Sequence, residues 1–267
     1  MKFGMETRLK KSRTNCSIMT NREKYYFDDF TTANYQNLIR IGKENYDFKL
    51  YHELENQDNF ILLRHDIDFS PQRALRCAQI ENAEGVRTTY FIHLHSEFYN
   101  VFEKEAFNSI RQIIELGHDV GVHFDTHFYD IQTEDEIRLH LNEEKLLLES
   151  LFKVKIHSFS FHNTNAFILN CRKPEYAGLI NCYSDFFQQE MKYCSDSNGY
   201  WRYERMEDVI RSKFRKLHLL THCEWWTEEV MSPWQKIQRA IDGRADACKQ
   251  LYSDLLHRNN MINVDWD

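Results

Sequence analysis

Apolar runs change period repeatedly along this chain, and the changes mark out alternating strands and helices. Asn59 to Asp68 is almost continuously apolar, which predicts a strand buried on both faces. Ser70-Pro71 follows as a helix start, Ser as N-cap and Pro at the first helical position, and Gly85 closes that helix. Arg87 to His95, rich in β-branched and aromatic residues, predicts a second strand. Lys104 to Leu116 predicts a helix stopped by Gly117, and His118 to Asp125 a third strand. Thr133-Glu134-Asp135-Glu136 is a capping box opening a long helix to about Leu151. Ile156 to His162 predicts a fourth strand and Lys216 to Thr221 a last one. Ser232-Pro233 then opens a terminal helix running to about Arg258.

The remaining segments are less regular. Tyr35, Leu38, Ile39 and Ile41 fall at helical spacing and predict a helix over Phe30 to Tyr46. Asn163 to Tyr203 mixes aromatic and polar residues and predicts short strands, and Met206 to Ser212 a short helix. Met1 to Met19 is polar and basic without periodicity, a loose tail, so residues 20–267 are expected to form one domain. Strands alternating with helices predict an α/β fold with a largely parallel sheet, open or closed into a barrel. No Gly-rich phosphate loop follows any strand, which disfavours a dinucleotide fold.

Composition narrows the class. The chain has 267 residues, 42% hydrophobic and 28% charged, which is ordinary for a globular domain and long enough for a full core. A net charge of −7 gives no support for nucleic-acid binding. The seven cysteines, an odd number without CxxC spacing, read as reduced thiols, so the cytoplasm is the expected location. No run approaches the ~20 apolar residues of a membrane span.

Four of the predicted strands close on histidine: Leu62-Leu63-Arg64-His65-Asp66-Ile67-Asp68, Val120-Gly121-Val122-His123, Phe159-Ser160-Phe161-His162 and Leu219-Leu220-Thr221-His222. In a barrel the carboxyl ends of the strands converge, so residues this far apart in sequence can share one cleft. Asp66 and Asp68 project to one face of their strand, roughly 6.6 Å apart, while His65 and Ile67 face the other way. One carboxylate suits a metal and the other a water proton. His123 and His127 share a face, about 5–6 Å apart at Cβ, if one helical turn follows the strand. One Asp plus two His leaves a coordination position open. His93-Leu94-His95 also alternates, but it lies on the second strand and reads as structural or supporting. His140 and His157 have no supporting context.

The set resembles the polysaccharide deacetylase family, carbohydrate esterase family 4. Asp66 and Asp68 match its paired aspartates, in an Asp-Ile-Asp variant. His123-Phe124-Asp125-Thr126-His127 is similar to its His-Ser/Thr-x-x-His motif in both histidines, and Leu217 to His222 to its last strand ending in His. A closer resemblance is to the bacterial branch encoded with O-antigen and capsule genes. It is carried by Arg64 to Asp68, Ser158 to Asn163, Ser195 to Arg202 and Thr221 to Trp226. The family's Arg-x-Pro motif is missing, and Phe161-His162-Asn163 stands in its place.

The resemblance implies a distorted (β/α) barrel of about seven strands. It also implies one divalent metal ion, usually zinc, and hydrolysis of an N-acetyl group from a sugar, sugar nucleotide or glycan. On it, Asp68, His123 and His127 hold the metal, Asp66 is the general base and His222 the acid for the departing amine. His127 is not constant in this branch, which makes His162 the alternative ligand or a substrate contact. Asn163, Arg202 and Trp225 are expected to bind substrate. Two other readings keep the same motifs: an amide hydrolase or deformylase acting on another small molecule, and a sugar-binding pseudo-enzyme.

Overall fold

The computed structural model describes residues 19–54 and 59–264, so the expected basic tail, all but Met19, lies outside the described residues. Its strands are β1 (Asp47–Phe48), β2 (Phe60–Ile67), β3 (Thr89–Ile92), β4 (Asp119–Asp125), β5 (Ser158–His162), β6 (Glu175–Tyr176), β7 (Leu179–Asn181), β8 (Lys192–Ser197), β9 (Tyr200–Trp201) and β10 (Lys216–Thr221). The helices are α1 (Asn21–Lys24), α2 (Thr32–Lys43), α3 (Pro71–Ala83), α4 (Lys104–Glu115), α5 (Glu134–Phe152), α6 (Asp185–Gln189), α7 (Met206–Ile210) and α8 (Pro233–Arg258). The fold is α/β, as the alternating periods imply. Helices α3, α4 and α5 are the crossovers of successive parallel pairs β2–β3, β3–β4 and β4–β5. Strand order is β6-β7-β5-β4-β3-β2-β10-β8-β9, parallel through its centre with an antiparallel hairpin at each edge.

Local chemistry explains the helix starts. Ser70 Oγ accepts from the Arg73 N–H with Pro71 at the first position, and Thr133 and Ser232 each close a capping box with Glu136 and Gln235. Gly85, at φ +72°, ends α3 in the left-handed region.

Every residue of β2 is buried, because both faces of the sheet are covered. Ile61, Leu63 and Ile67 pack outward into the main core, while Phe60 and Leu62 point inward with Phe91, Tyr51, Cys182, Phe187 and Met191. The sheet curls around this inner cluster. Arg64, next on the inward face, hydrogen-bonds Tyr183 near one edge, and its charge is felt by Tyr193 near the other. Among the described residues no ladder joins the two edges.

The wrap needs one glycine. Gly121 pairs with Phe91, and a Cβ there would stand 2.4 Å from the Phe91 ring and 2.6 Å from the Ser158 carbonyl oxygen. Behind the sheet, His65 bonds Glu81 at 2.7 Å, and Glu81 also accepts from Tyr35, Thr88 and Tyr90. His65 therefore points away from the strand-end cleft, as the alternation predicts. Among the described residues, Cys77, Cys171, Cys182, Cys194, Cys223 and Cys248 are free thiols, and no helix is long and apolar enough to cross a membrane.

Candidate active site

Register places the site. Asp66 pairs with Phe91 and Ile67 with Ile92, so Asp68 and His93 leave adjacent strands side by side. His123 pairs with Ser160, and Asp125 with His162. His222 follows Thr221, whose partner is His65. Five polar side chains thus gather at the carboxyl ends of β2, β3, β4, β5 and β10.

Asp68 is the centre of the group. His123 Nε2 lies 3.1 Å and His162 Nδ1 3.5 Å from its Oδ1, and the two ring nitrogens are 3.2 Å apart. Donors around a tetrahedral ion with bonds of about 2.1 Å are separated by about 3.4 Å, so these three atoms have the spacing of one coordination shell. Asp68 Oδ1 is buried yet makes no hydrogen bond, and neither ring nitrogen of the buried His93 makes one either. Asp68, His93 and His162 each offer a ligand atom within 4.8 Å of the others. Unsatisfied buried acceptors converging on one point are what a cation would satisfy, so the residues present fit a divalent ion of the zinc type.

The carboxylates around this group differ in role. Asp66 is held by Arg64 Nη2 at 3.4 Å and by the Ser160 hydroxyl at 3.2 Å, with its Oδ2 3.8 Å from His123 Nε2. Asp196 accepts from the Thr221 hydroxyl (2.6 Å) and the His222 N–H (3.0 Å), and it meets His222 Nδ1 at 2.5 Å. The other ring nitrogen of His222 faces Asp68 Oδ2 at 3.7 Å. Burial opposes the imidazolium, but Asp196 and Asp68 hold His222 well above the usual histidine range. Burial pushes Glu224, beside them, up to about 8, a carboxyl neutral near pH 7.

The residues expected from sequence are not all brought together. Asp66, Asp68, His123, His162 and His222 meet. His127 does not join them: β4 stays extended through Asp125, so no helical turn brings His127 onto the face of His123. Instead the His127 N–H bonds Asp125 Oδ1 at 2.9 Å and its ring reaches the Asn163 carbonyl at 2.8 Å. Asn163 is at the rim, its side-chain amide 2.7 Å from His162 Nε2. Trp225 is 5% exposed and packed in the core, which leaves no free face for a sugar to stack on. Arg202 is exposed, with its guanidinium over Tyr203.

Sequence reasoning set His93 aside and missed Ser160, Asp125, Asp196 and Glu224. Strand β3 stops at Ile92, so His93 is a strand-end residue like Asp68. Its ring lies 4.3 Å from that of His162, and its Nε2 is 3.6 Å from Asp125. Asp196 had a faint signal in the Ser195 to Arg202 resemblance.

No family model matches the chain, and no curated protein matches it. Among solved structures it is similar to a CE4 family pseudoenzyme from Bacillus anthracis, at 15% identity and TM-score 0.40 over 71% of this chain and 63% of that one. It is also similar to the chitin deacetylase from the fungal pathogen Colletotrichum lindemuthianum, at 14% identity and TM-score 0.41 over 70% of this chain and 83% of that one. A Streptococcus pyogenes deacetylase in complex with acetate overlaps at 11% identity and TM-score 0.39, over 83% of this chain and 92% of that one. The chain spans less than two thirds of the length of the first.

Proposed function

We propose that this chain is a metal-dependent hydrolase that removes an N-acetyl or other N-acyl group from a sugar or sugar conjugate in surface-polysaccharide biosynthesis. The observation that carries the reading is the close triangle of Asp68, His123 and His162, with edges of 3.1, 3.2 and 3.5 Å, flanked by a carboxylate on one side and a charged imidazole on the other. Asp68, His123 and His162 would hold the ion, zinc in this proposal, with His93 within reach as a further donor. His162 takes the place first given to His127.

When bound, such an ion polarises an acyl carbonyl and lowers the pKa of water from 15.7 to about 7. The chain's own groups do the rest. Asp66, anchored by Arg64 and Ser160, accepts the proton of the attacking water as general base. His222, kept charged and oriented by Asp196, gives a proton to the departing amine. Asn163 steadies His162 at the rim and, with exposed Arg202, offers polar groups for a sugar's hydroxyl or anionic substituents.

The test is metal analysis and acetate release from N-acetylated sugar nucleotides and glycans, for the wild type and Asp66→Asn. Bound metal with release lost in the variant supports the proposal. Metal without acyl release from these substrates would favour a different amide substrate or a non-catalytic sugar-binding role.

A further inference from the structure

We propose a second divalent-metal site of the zinc type, formed by His52, Asp119 and His157 at the opposite end of the sheet. Asp119 opens β4 and His157 immediately precedes β5, so both lie at the amino ends of strands whose carboxyl ends carry His123 and His162. His52 reaches them from the short turn Tyr51–Glu53 after β1. His123 lies four residues along β4 from Asp119, about 13 Å, so the two clusters cannot share an ion.

One edge of this group matches those of the first cluster. His52 Nδ1 lies 3.3 Å from Asp119 Oδ2, again the edge length between donors on a tetrahedral ion, about 3.4 Å. One ligand atom from each of the three residues lies within 4.8 Å of the others. Asp119 Oδ2 is buried and makes no hydrogen bond, with the side chain only 10% exposed, although an imidazole nitrogen stands beside it. A buried carboxylate oxygen without a hydrogen bond is a group that a bound cation would satisfy.

The rings of His52 and His157 stack at 3.9 Å and 21°. Of the other carboxylates nearby, Glu53 is committed to Arg87 at 2.8 Å and Glu149, which acts on His157, accepts from the Ile156 N–H at 3.1 Å. Two imidazoles and one carboxylate suit zinc better than calcium or magnesium, which prefer all-oxygen shells. Neither His52 nor His157 belongs to a motif, and only folding brings them together.

The test is equilibrium dialysis of the full chain, stripped of metal, against Zn2+ alone. The His52→Ala/His157→Ala double variant is expected to bind one equivalent fewer than the wild type. His140→Ala, which removes a half-buried histidine outside both clusters, should bind as many as the wild type. An equal count in the double variant and the wild type would overturn the site. Asp119→Asn, nearly isosteric, guards against misfolding of the double variant, and its expected effect is at least a tenfold loss of Zn2+ affinity at this site. In an Asp68→Ala background, Zn2+ should still raise the thermal midpoint, and no rise there would equally overturn the assignment.

Discussion

Ser160 decides which nitrogen of His123 faces Asp68. The serine hydroxyl donates to Asp66 Oδ1 at 3.2 Å, and a hydroxyl has only one proton to give. It must therefore accept from His123 Nδ1, 2.7 Å away, which leaves Nε2 as the bare nitrogen 3.1 Å from Asp68. One side chain thus sets a ligand's tautomer and holds the adjacent base, the outer-shell arrangement that tunes metal sites.

Ser160→Ala should accordingly weaken metal binding by about 10–100-fold while leaving the fold intact. Zinc competition against a chromophoric chelator reads the affinity, and far-ultraviolet circular dichroism checks the fold. Unchanged affinity would mean that His123 is oriented by something else.

Asp196→Asn bears on the proton donor. Asp196 is the main partner keeping His222 charged against burial, so its loss lowers the pH at which the imidazolium gives up its proton. An acid must be protonated to act. The basic limb of the kcat profile should therefore move to lower pH, with kcat falling by about 10²-fold. A profile that keeps its limb would remove His222 from the acid role.

Acid stability reports on the knot behind the sheet. Burial favours neutral Glu81, yet His65 and His118 beside it hold its carboxyl down from 4.5 to about 2. Between those values the unfolded chain binds the extra proton, so this stabilisation is complete above about pH 4.5 and fades as pH falls toward 2. It amounts to about 3 kcal/mol. Urea unfolding across pH should show this loss in the wild type and a flatter acid limb in Glu81→Gln. Parallel limbs would contradict it.

Gly121→Ala tests the inward wrap. A Cβ at 2.4 Å from the Phe91 ring forces that ring or β4 to move, and overpacking of this kind costs about 1–3 kcal/mol. Denaturant midpoints measure it, and an unchanged midpoint would mean the inner cluster is looser than its contacts indicate.

What the chain revealed in advance was whatever is encoded locally. Ser70-Pro71 and the Thr133 box carry their own capping atoms, so those helix starts were legible. Asp66 and Asp68 were legible because period-2 alternation fixes their face once β2 is recognised. Strand β8 was legible only as one of the short strands expected between Asn163 and Tyr203: Lys192, Ser195 and Asp196 break its apolar pattern, and its place is set by pairing with β10. His127 does not sit beside His123 because residues four apart are neighbours only in a helix, and β4 runs extended through Asp125 and carries the chain away. His93 was set aside because its His-x-His pair lies on the second strand, whereas β3 ends at Ile92 and leaves His93 at the strand end beside Asp68. Long-range register, which no local pattern contains, joined His93 to Asp68 and His52 to His157.

The metal cradle itself is tested most directly by anomalous diffraction at the zinc edge from crystals of the zinc-loaded chain. The account predicts a peak bonded to Asp68, His123 and His162 at about 2.0–2.2 Å from each donor atom, with His127 outside the shell. A peak coordinated by His127, or no peak beside Asp68, would contradict it.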